Sequence, residues 1–372
     1  MARPARAVIH LGAYARNLDR VRSLVGSAVQ IMAVVKADAY GHGALPIARI
    51  ALEAGATWLG VALPEEGAAL RQAGIAAPIL VLGPTSPPQA PLVLEADLDQ
   101  MVPDAALAEA LADAAKGTRR RARVHLKVET GMGRVGLLPG EVIGLARQLR
   151  HLSGIELRGV MTHLAKADAS DKTHTLAQVE RFRQALAGLE AEGIEVPIRH
   201  AANSAAILQV PEAHFDLVRP GIVLYGYLPA RQMQRPVEWE PVLELHSVIA
   251  QVKRVQPGTT VSYGGTFVAT RETSVATIPI GYADGVPRLL SNRGHVLVGG
   301  RAAPVIGAVC MDMVMVDVSE VPEAAAGDPV TLIGRQGEMA VWADDWAEWA
   351  LTISYEVLCG IGPRVPRIHV AP

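Results

Sequence analysis

Between residues 31 and 226 the chain repeats one theme: a short apolar run followed by a helical pattern. Candidate strands lie at 31–36 (IMAVVK), 58–62, 79–82, 99–102, 123–129, 158–163, 198–202 and 217–224, which makes eight. Runs that are apolar throughout, such as Ile31–Val35, read as strands buried on both faces. Between them, segment 171–190 carries Leu176, Val179, Phe182, Leu186 and Leu189 at spacings of three and four, one apolar stripe of a helix capped by Ser170 or Asp171. Another helix is expected to open at Asp104, after Pro103, and to run through Leu107 and Leu111. Eight strand–helix units in succession predict a (β/α)8 TIM-type barrel rather than an open sheet. In such a barrel the chemistry sits at the carboxyl ends of the strands.

After about residue 237 the texture changes. LELHSVIAQVKRV, SVATIPIGYA, GHVLVGG, MDMVMVDV and PVTLIG are β-rich, with Gly and Pro between them, and predict a separate mostly-β domain. Segment 344–358 reads as one helix inside it. The expected organisation is therefore a barrel over 10–236 and a β domain over 237–372, with the N-terminal strand at 1–9 available to pair with the latter. Lys+Arg (35) nearly balance Asp+Glu (37), and the one basic run, Arg119–Arg121, reads as a solvated strand entrance, so neither nucleic acid nor a membrane is indicated as a partner. The N-terminus lacks the apolar core of a signal peptide and no window offers about 18 consecutive apolar residues, which makes the cytoplasm the simplest location. The two cysteines, Cys310 and Cys359, lack clustered partners, so no disulfide framework and no metal site is expected.

Several strand ends carry chemistry. Lys36 closes the first apolar run and is followed by a Gly-punctuated turn with Tyr40 and His42. A lysine there has a greasy stem and an amine at the rim of the sheet, where desolvation frees it to attack a carbonyl; the plain alternative is a lysine that snorkels. Strand 123–129 places His125, Lys127 and Glu129 on its polar face, which in a barrel lines the interior. A buried ammonium is costly, so Lys127 must lose its charge or find an acid, Glu129 being the simplest partner. Gly131-Met-Gly133-Arg-Val-Gly136 formally satisfies the dinucleotide fingerprint, with Glu156 twenty residues beyond Gly136. Its place in the fifth unit of a barrel, after a strand with interior charges, speaks against that reading. His163 ends the sixth strand, where a lone histidine is most often a core residue. Ser204 opens a helix after the seventh, a setting suited to an anion. Phosphate sites are frequent around barrel strands seven and eight.

Taken together, AVVKADAYGHG, KVETGMGR, GVMTHLA, HAANS, the LVRPGIVLYG stretch, VSYG, IPIGYADG, CMD and SYEVLCGIGPR resemble, in order, segments of alanine racemases. The resemblance spans almost the whole chain. It implies pyridoxal 5′-phosphate held as a Schiff base on Lys36. It also implies cofactor contacts from Tyr40, Arg134, His163, Asn203, Ser204, Arg219, Gly221, the Ile222 backbone and Tyr355. Arg134 and the Met311 N–H would reach the substrate carboxylate, and Tyr282 would narrow the entrance. Lys127 would be the lysine that is often carbamylated, becoming an anion that positions Arg134. Glu129 stands where Asp is more usual, and Ala308 and Met313 depart from the usual wording around Cys310, which bears on entrance and subunit contacts. Arg219 would face the pyridine nitrogen. An arginine does not readily give up a proton, so it keeps that nitrogen unprotonated and the cofactor a weaker electron sink, which suits racemisation over transamination. Racemisation needs bases on both faces of Cα. Lys36 would serve the D-enantiomer and Tyr263 the L-enantiomer, with His163 and Arg219 as the network that lowers a phenol normally near 10. The family sets the β domain of one subunit against the barrel of the other, which implies a homodimer with shared sites, acting on alanine and supplying D-alanine for peptidoglycan. The rivals are a racemase of serine or lysine, which sequence separates poorly, a pyridoxal-phosphate-dependent decarboxylase, which would want an acid where Arg219 stands, and a non-catalytic pyridoxal-phosphate-binding barrel, which would need no β domain.

Overall fold

The computed structural model describes residues 3–233 and 237–371. The chain divides into two compact units: one is Tyr14–Ala39 with Ala44–Glu240, the other the described residues of Met1–Ala13, Tyr40–Gly43 and Pro241–Pro372. Pro236, at the boundary expected from sequence, lies outside the described residues.

Strand β1 (Arg6–His10) belongs to the second unit, whereas the eight strands β2 (Gln30–Val34), β3 (Trp58–Val61), β4 (Ile79–Val81), β5 (Asp99–Val102), β6 (Ala122–Lys127), β7 (Ile155–Met161), β8 (Ile198–His200) and β9 (Leu217–Val218) build the first. All pair parallel, in the order β8-β7-β6-β5-β4-β3-β2-β9. The ends meet where the Asp216 and Arg219 N–H groups donate to the Arg199 and Ala202 carbonyls, both at 3.0 Å. This is the barrel that the repeated pattern predicts. Its interior is filled by one buried apolar residue from each of seven strands: Met32, Trp58, Leu80, Met101, Met161, Ile198 and Leu217. The eighth, β6, offers His125 instead, whose ring lies edge-on to Trp58 at 5.6 Å between centroids.

The helix expected at Asp104 forms over Ala105–Ala115, with the Asp104 carboxylate accepting from the Leu107 N–H at 2.9 Å. The helix of segment 171–190 spans Thr173–Ala191 with Asp171 at its entry, but Leu176 is exposed, and Gln178 takes an inward position on the buried face beside Val179 and Phe182. Beyond β9 the apolar run does not continue as strand: Ile222–Tyr225 is a 3-10 turn, because Pro220 lacks a donor and Gly221 breaks the ladder.

In the second unit a seven-stranded sheet contains β1, β10 (Leu243–Val248), β15 (His295–Val298), β16 (Arg301–Pro304), β18 (Pro329–Gln336), β19 (Met339–Val341) and β20 (Arg367–Val370). β1 pairs antiparallel with β10 and parallel with β20. A three-stranded sheet holds β11 (Gln251–Val255), β14 (Thr273–Ile278) and β17 (Val314–Asp317), and β12 (Thr260–Val261) pairs with β13 (Phe267–Val268). Segment 344–358 forms two helices, Ala343–Trp349 and Ser354–Gly360, not one. The break falls at Leu351, whose φ of 56° lies in the left-handed region, while the Thr352 N–H returns to the Ala347 carbonyl.

Candidate active site

Lys36 stands just past β2, at the mouth of the barrel, with a half-buried side chain. The turn expected after it is a helical segment, Lys36–Gly41, of unusual hand: Ala37, Asp38, Ala39 and Tyr40 all have φ between 51° and 54°. Each such residue costs about 1–2 kcal/mol when it carries a Cβ, so the segment is locally unfavourable by roughly 4–8 kcal/mol. Specific anchors offset this. The Ala37 N–H donates to Glu66 Oε1 at 2.7 Å, the Ala39 N–H to the Val35 carbonyl at 2.9 Å, and the Ala44 N–H to Asp38 Oδ1 at 2.7 Å. The other oxygen of Glu66 accepts from Ala62 and Leu63, so one carboxylate ties the loops after β2 and β3 together. Sequence reading missed Glu66. Its position in the first turn of the helix Pro64–Gln72 signals only a local cap.

Lys127, at the end of β6, is 3% exposed, and its amine donates to the Val128 carbonyl at 3.0 Å. The ion pair with Glu129 does not form. Glu129 instead accepts from the backbone N–H groups of Gly131 (2.6 Å), Met132 (2.5 Å) and Arg134 (3.2 Å), bending the loop that carries Arg134. Burial, reinforced by Arg219 and Arg134, brings the Lys127 amine down to about 7 against the weaker pull of Glu129. His163, just beyond β7, is held well below its usual value by burial and by the surrounding cations Arg219, Arg134, Lys127 and Lys36. Its carbonyl is fixed by the Gln178 side-chain amide, which also donates to Thr130.

Arg219 follows β9 and is 4% exposed. One terminal nitrogen donates to the Thr162 and Ala201 carbonyls at 2.7 and 2.9 Å, the other to His200 Nδ1 at 2.9 Å. Burial, with Arg134 nearby, lowers Arg219 to about 9. Asn203, rather than Ser204, caps the helix Ser204–Gln209: its Oδ1 accepts from the Ala206 N–H while its amide donates to the Leu164 carbonyl. The buried Ser204 hydroxyl accepts from the Gly221 N–H at 2.9 Å, which leaves the hydroxyl proton to donate. Gly221 and Ile222 thus stand beside Ser204, at the end of the barrel where phosphate sites cluster. Lys36, Lys127, Arg134 and Arg219 all act electrostatically on His163 here.

The remaining expected residues belong to the second unit. Tyr40 packs on Tyr355 with ring centroids 5.9 Å apart. This contact depends on Gly41, where a Cβ would come within 2.4 Å of the Leu358 carbonyl oxygen. Tyr263 follows β12, and its side chain is 74% exposed. The preceding Ser262 adopts a φ of 66° and is tethered through its hydroxyl to the Ala308 carbonyl at 2.6 Å, close to Cys310. The Tyr282 N–H donates to the Cys310 carbonyl and the Ala283 N–H to that of Met311, both at 3.0 Å. Tyr263, Tyr282 and Met311 therefore sit on neighbouring, hydrogen-bonded loops, and all three are exposed.

Lysine, histidine and two arginines gathered at the carboxyl ends of barrel strands are matched by likeness along the full chain. The family model for the N-terminal domain of alanine racemase matches residues 9–229 and that for the C-terminal domain matches residues 242–369. The chain belongs to the alanine racemase family. The alanine racemases of Halothermothrix orenii and Symbiobacterium thermophilum are 47% and 49% identical to it over 367 residues, covering 99% of this chain and 97% of each relative. The crystal structure of alanine racemase from Bacillus anthracis, with bound L-Ala-P, superposes with a TM-score of 0.95 at 38% identity, covering 100% of this chain and 96% of that one. The alanine racemase of Streptomyces lavendulae gives a TM-score of 0.94 at 39% identity, covering 100% of this chain and 98% of that one.

Proposed function

We propose that this chain interconverts L- and D-alanine with pyridoxal 5′-phosphate, using Lys36 and Tyr263 as bases on opposite faces of the substrate Cα. The observation that carries the reading is the gathering of Lys36, Arg134 and the buried, hydrogen-bonded Arg219 around His163 at the barrel mouth. Such a cluster calls for an anion, and a phosphorylated, carboxylate-bearing assembly supplies two. The residues present also fit the cofactor in detail. Arg219 keeps its Nε–H and one terminal hydrogen for a ring acceptor after its contacts to His200, Thr162 and Ala201. The Ser204 hydroxyl proton and the backbone at Gly221 and Ile222 suit the phosphate; Tyr40, Asn203 and Tyr355 are assigned to the cofactor by likeness to the family.

When bound, pyridoxal phosphate supplies the electron sink that lets an α-proton leave. Lys36 Nζ then takes or returns that proton on the face of D-alanine, and Tyr263 Oη does so on the face of L-alanine. Arg134 and the Met311 N–H hold the substrate carboxylate, and Tyr282 narrows access. Lys127 as a carbamate replaces a disfavoured buried ammonium by an anion facing Arg134. A Tyr263 that is 74% exposed in one chain supports a homodimer in which a second copy covers it and shares the site. D-alanine made in the cytoplasm would feed peptidoglycan.

The test is incubation of the protein, reconstituted with pyridoxal phosphate, with L-alanine in D2O. α-Proton loss is followed by NMR and D-alanine by chiral chromatography. Exchange with D-alanine formation upholds the reading. Neither, in protein whose cofactor is bound to Lys36, refutes alanine as substrate; serine and lysine are then the next substrates to try.

A further inference from the structure

A line of four buried polar side chains crosses the apolar interior of the barrel. Arg219, at the mouth, donates through Nη1 to His200 Nδ1 at 2.9 Å; His200 Nε2 lies 2.9 Å from His125 Nδ1; and His125 Nε2 lies 3.4 Å from Asp99 Oδ2. Asp99 opens β5, so it stands at the floor of the barrel, the opposite end from Arg219. Exposure is 0% for Asp99, His125 and His200 and 4% for Arg219. Asp99 Oδ1 is in turn held by Arg123 Nε at 2.7 Å, and Arg158 approaches Oδ2 at 3.4 Å. The barrel makes room for this line. His125 sits at a register shift between β6 and β7, and a Cβ at Gly159 would lie 2.4 Å from its Nδ1.

The direction of every proton in the line follows from its ends. A guanidinium only donates, so His200 Nδ1 must accept and His200 must carry its proton on Nε2. That proton points at His125 Nδ1, which must accept, so the His125 proton is on Nε2 and points at Asp99. A carboxylate only accepts, so the floor demands the same direction as the mouth. Burial keeps both imidazoles below their usual pKa, His200 well below, which leaves them neutral. Asp99 stays ionised despite burial because His125 and Arg123 outweigh it.

We propose that Asp99 is a remote positioning residue for the cofactor: through His125 and His200 it sets one direction of hydrogen bonding that holds Arg219 as a charged donor toward the pyridine nitrogen. The role rests on the pyridoxal-phosphate reading above. Asp99→Asn separates it from simple packing. The Asn oxygen stays with the Arg123 guanidinium, which turns the amide toward His125. Donors then enter the line from both ends, and two neutral imidazoles can satisfy only two of its three links.

The experiment uses the holoenzyme labelled with 15N-histidine. Two-bond 15N–1H correlation reads the tautomers of His125 and His200, and alanine racemisation is measured on the same samples. In the wild type both rings should be neutral and carry the proton on Nε2. A His200 protonated on Nδ1, or a doubly protonated ring, overturns the proposal with no variant needed. In Asp99→Asn the amide donates to His125 Nε2, so the His125 proton should move to Nδ1, and kcat should fall roughly tenfold, the scale of one lost hydrogen bond, with little change in KM. Unchanged tautomers or an unchanged kcat overturns it. A wild type that shows the expected tautomers yet does not racemise alanine overturns the functional reading and, with it, the role assigned to Asp99, the proton directions standing.

Discussion

The sharpest consequence of the barrel interior concerns Lys127. Lys127 is 3% exposed, no carboxylate pairs with its amine among the described residues, and its pKa is brought from 10.5 to about 7 by burial and by Arg219 and Arg134. At pH 8 roughly nine in ten such amines are neutral, whereas an unperturbed lysine is neutral in only about 0.3% of molecules, a difference of roughly 300-fold in the form that can add CO2. Carbamylation then turns a site that penalises a cation into one holding an anion beside two arginines. The linkage has a definite sign. For the unmodified amine the unfolded chain binds more protons between about pH 7 and 10.5, so unmodified protein gains stability as pH rises through that window and carries the whole penalty, up to about 5 kcal/mol, below it. The carbamate removes that dependence. The assay is 13C NMR of protein equilibrated with 13C-bicarbonate, read beside activity and the urea midpoint. A carbamate resonance absent from Lys127→Met, with lower activity and lower stability below pH 7 in CO2-stripped buffer that bicarbonate restores, is expected. Full activity in protein whose Lys127 is unmodified by mass spectrometry would refute the reasoning.

Three further outcomes are expected. Mixing Lys36→Ala with Tyr263→Ala chains should restore about a quarter of wild-type activity, since half the dimers are hybrid and each hybrid holds one intact site; hybrids that form, by native mass spectrometry, yet stay inactive would show that sites are not shared. Glu66→Ala strips the acceptor from the Ala37, Ala62 and Leu63 N–H groups and should cost roughly 1–3 kcal/mol in urea unfolding together with a lower kcat; an unchanged kcat would mean the left-handed segment holds Lys36 without it. Gly159→Ala brings a Cβ to 2.4 Å from His125 Nδ1 and 2.8 Å from the Ile198 carbonyl oxygen, and should destabilise by roughly 1–3 kcal/mol or more, measured as a lower urea midpoint.

What could be read from the sequence, and what could not, divides along one physical line. The barrel strands announce themselves because a strand covered on both faces must be apolar throughout, and Ile31–Val35 can satisfy no other demand so simply. Once the barrel is inferred, Lys36, Lys127, His163 and Arg219 become strand-end or interior positions, but place alone leaves His163 a core residue and Lys127 a partner for Glu129, and their roles come from the family resemblance. The segment Ala37–Tyr40 is different. Ala-Asp-Ala-Tyr is an ordinary sequence for a right-handed helix, and only Gly41 hints otherwise; its left-handed path is anchored at Ala37 by Glu66, an acceptor supplied from after the next strand, together with local bonds to Val35 and Asp38. Leu176 misleads for the same reason, since periodicity marks an apolar stripe but not which neighbours it meets, and Gln178 wins the buried place by bonding to Thr130 and the His163 carbonyl. Asp99, first residue of the strand DQMV, reads as a strand boundary, yet it anchors a line that ends at Arg219, and that line exists only because β5, β6 and β8 bring residues 99, 125 and 200 together. Residues that act on their own side chains' chemistry are legible one at a time. Those that act by fixing another residue's proton or backbone become legible only after the strands have been placed side by side.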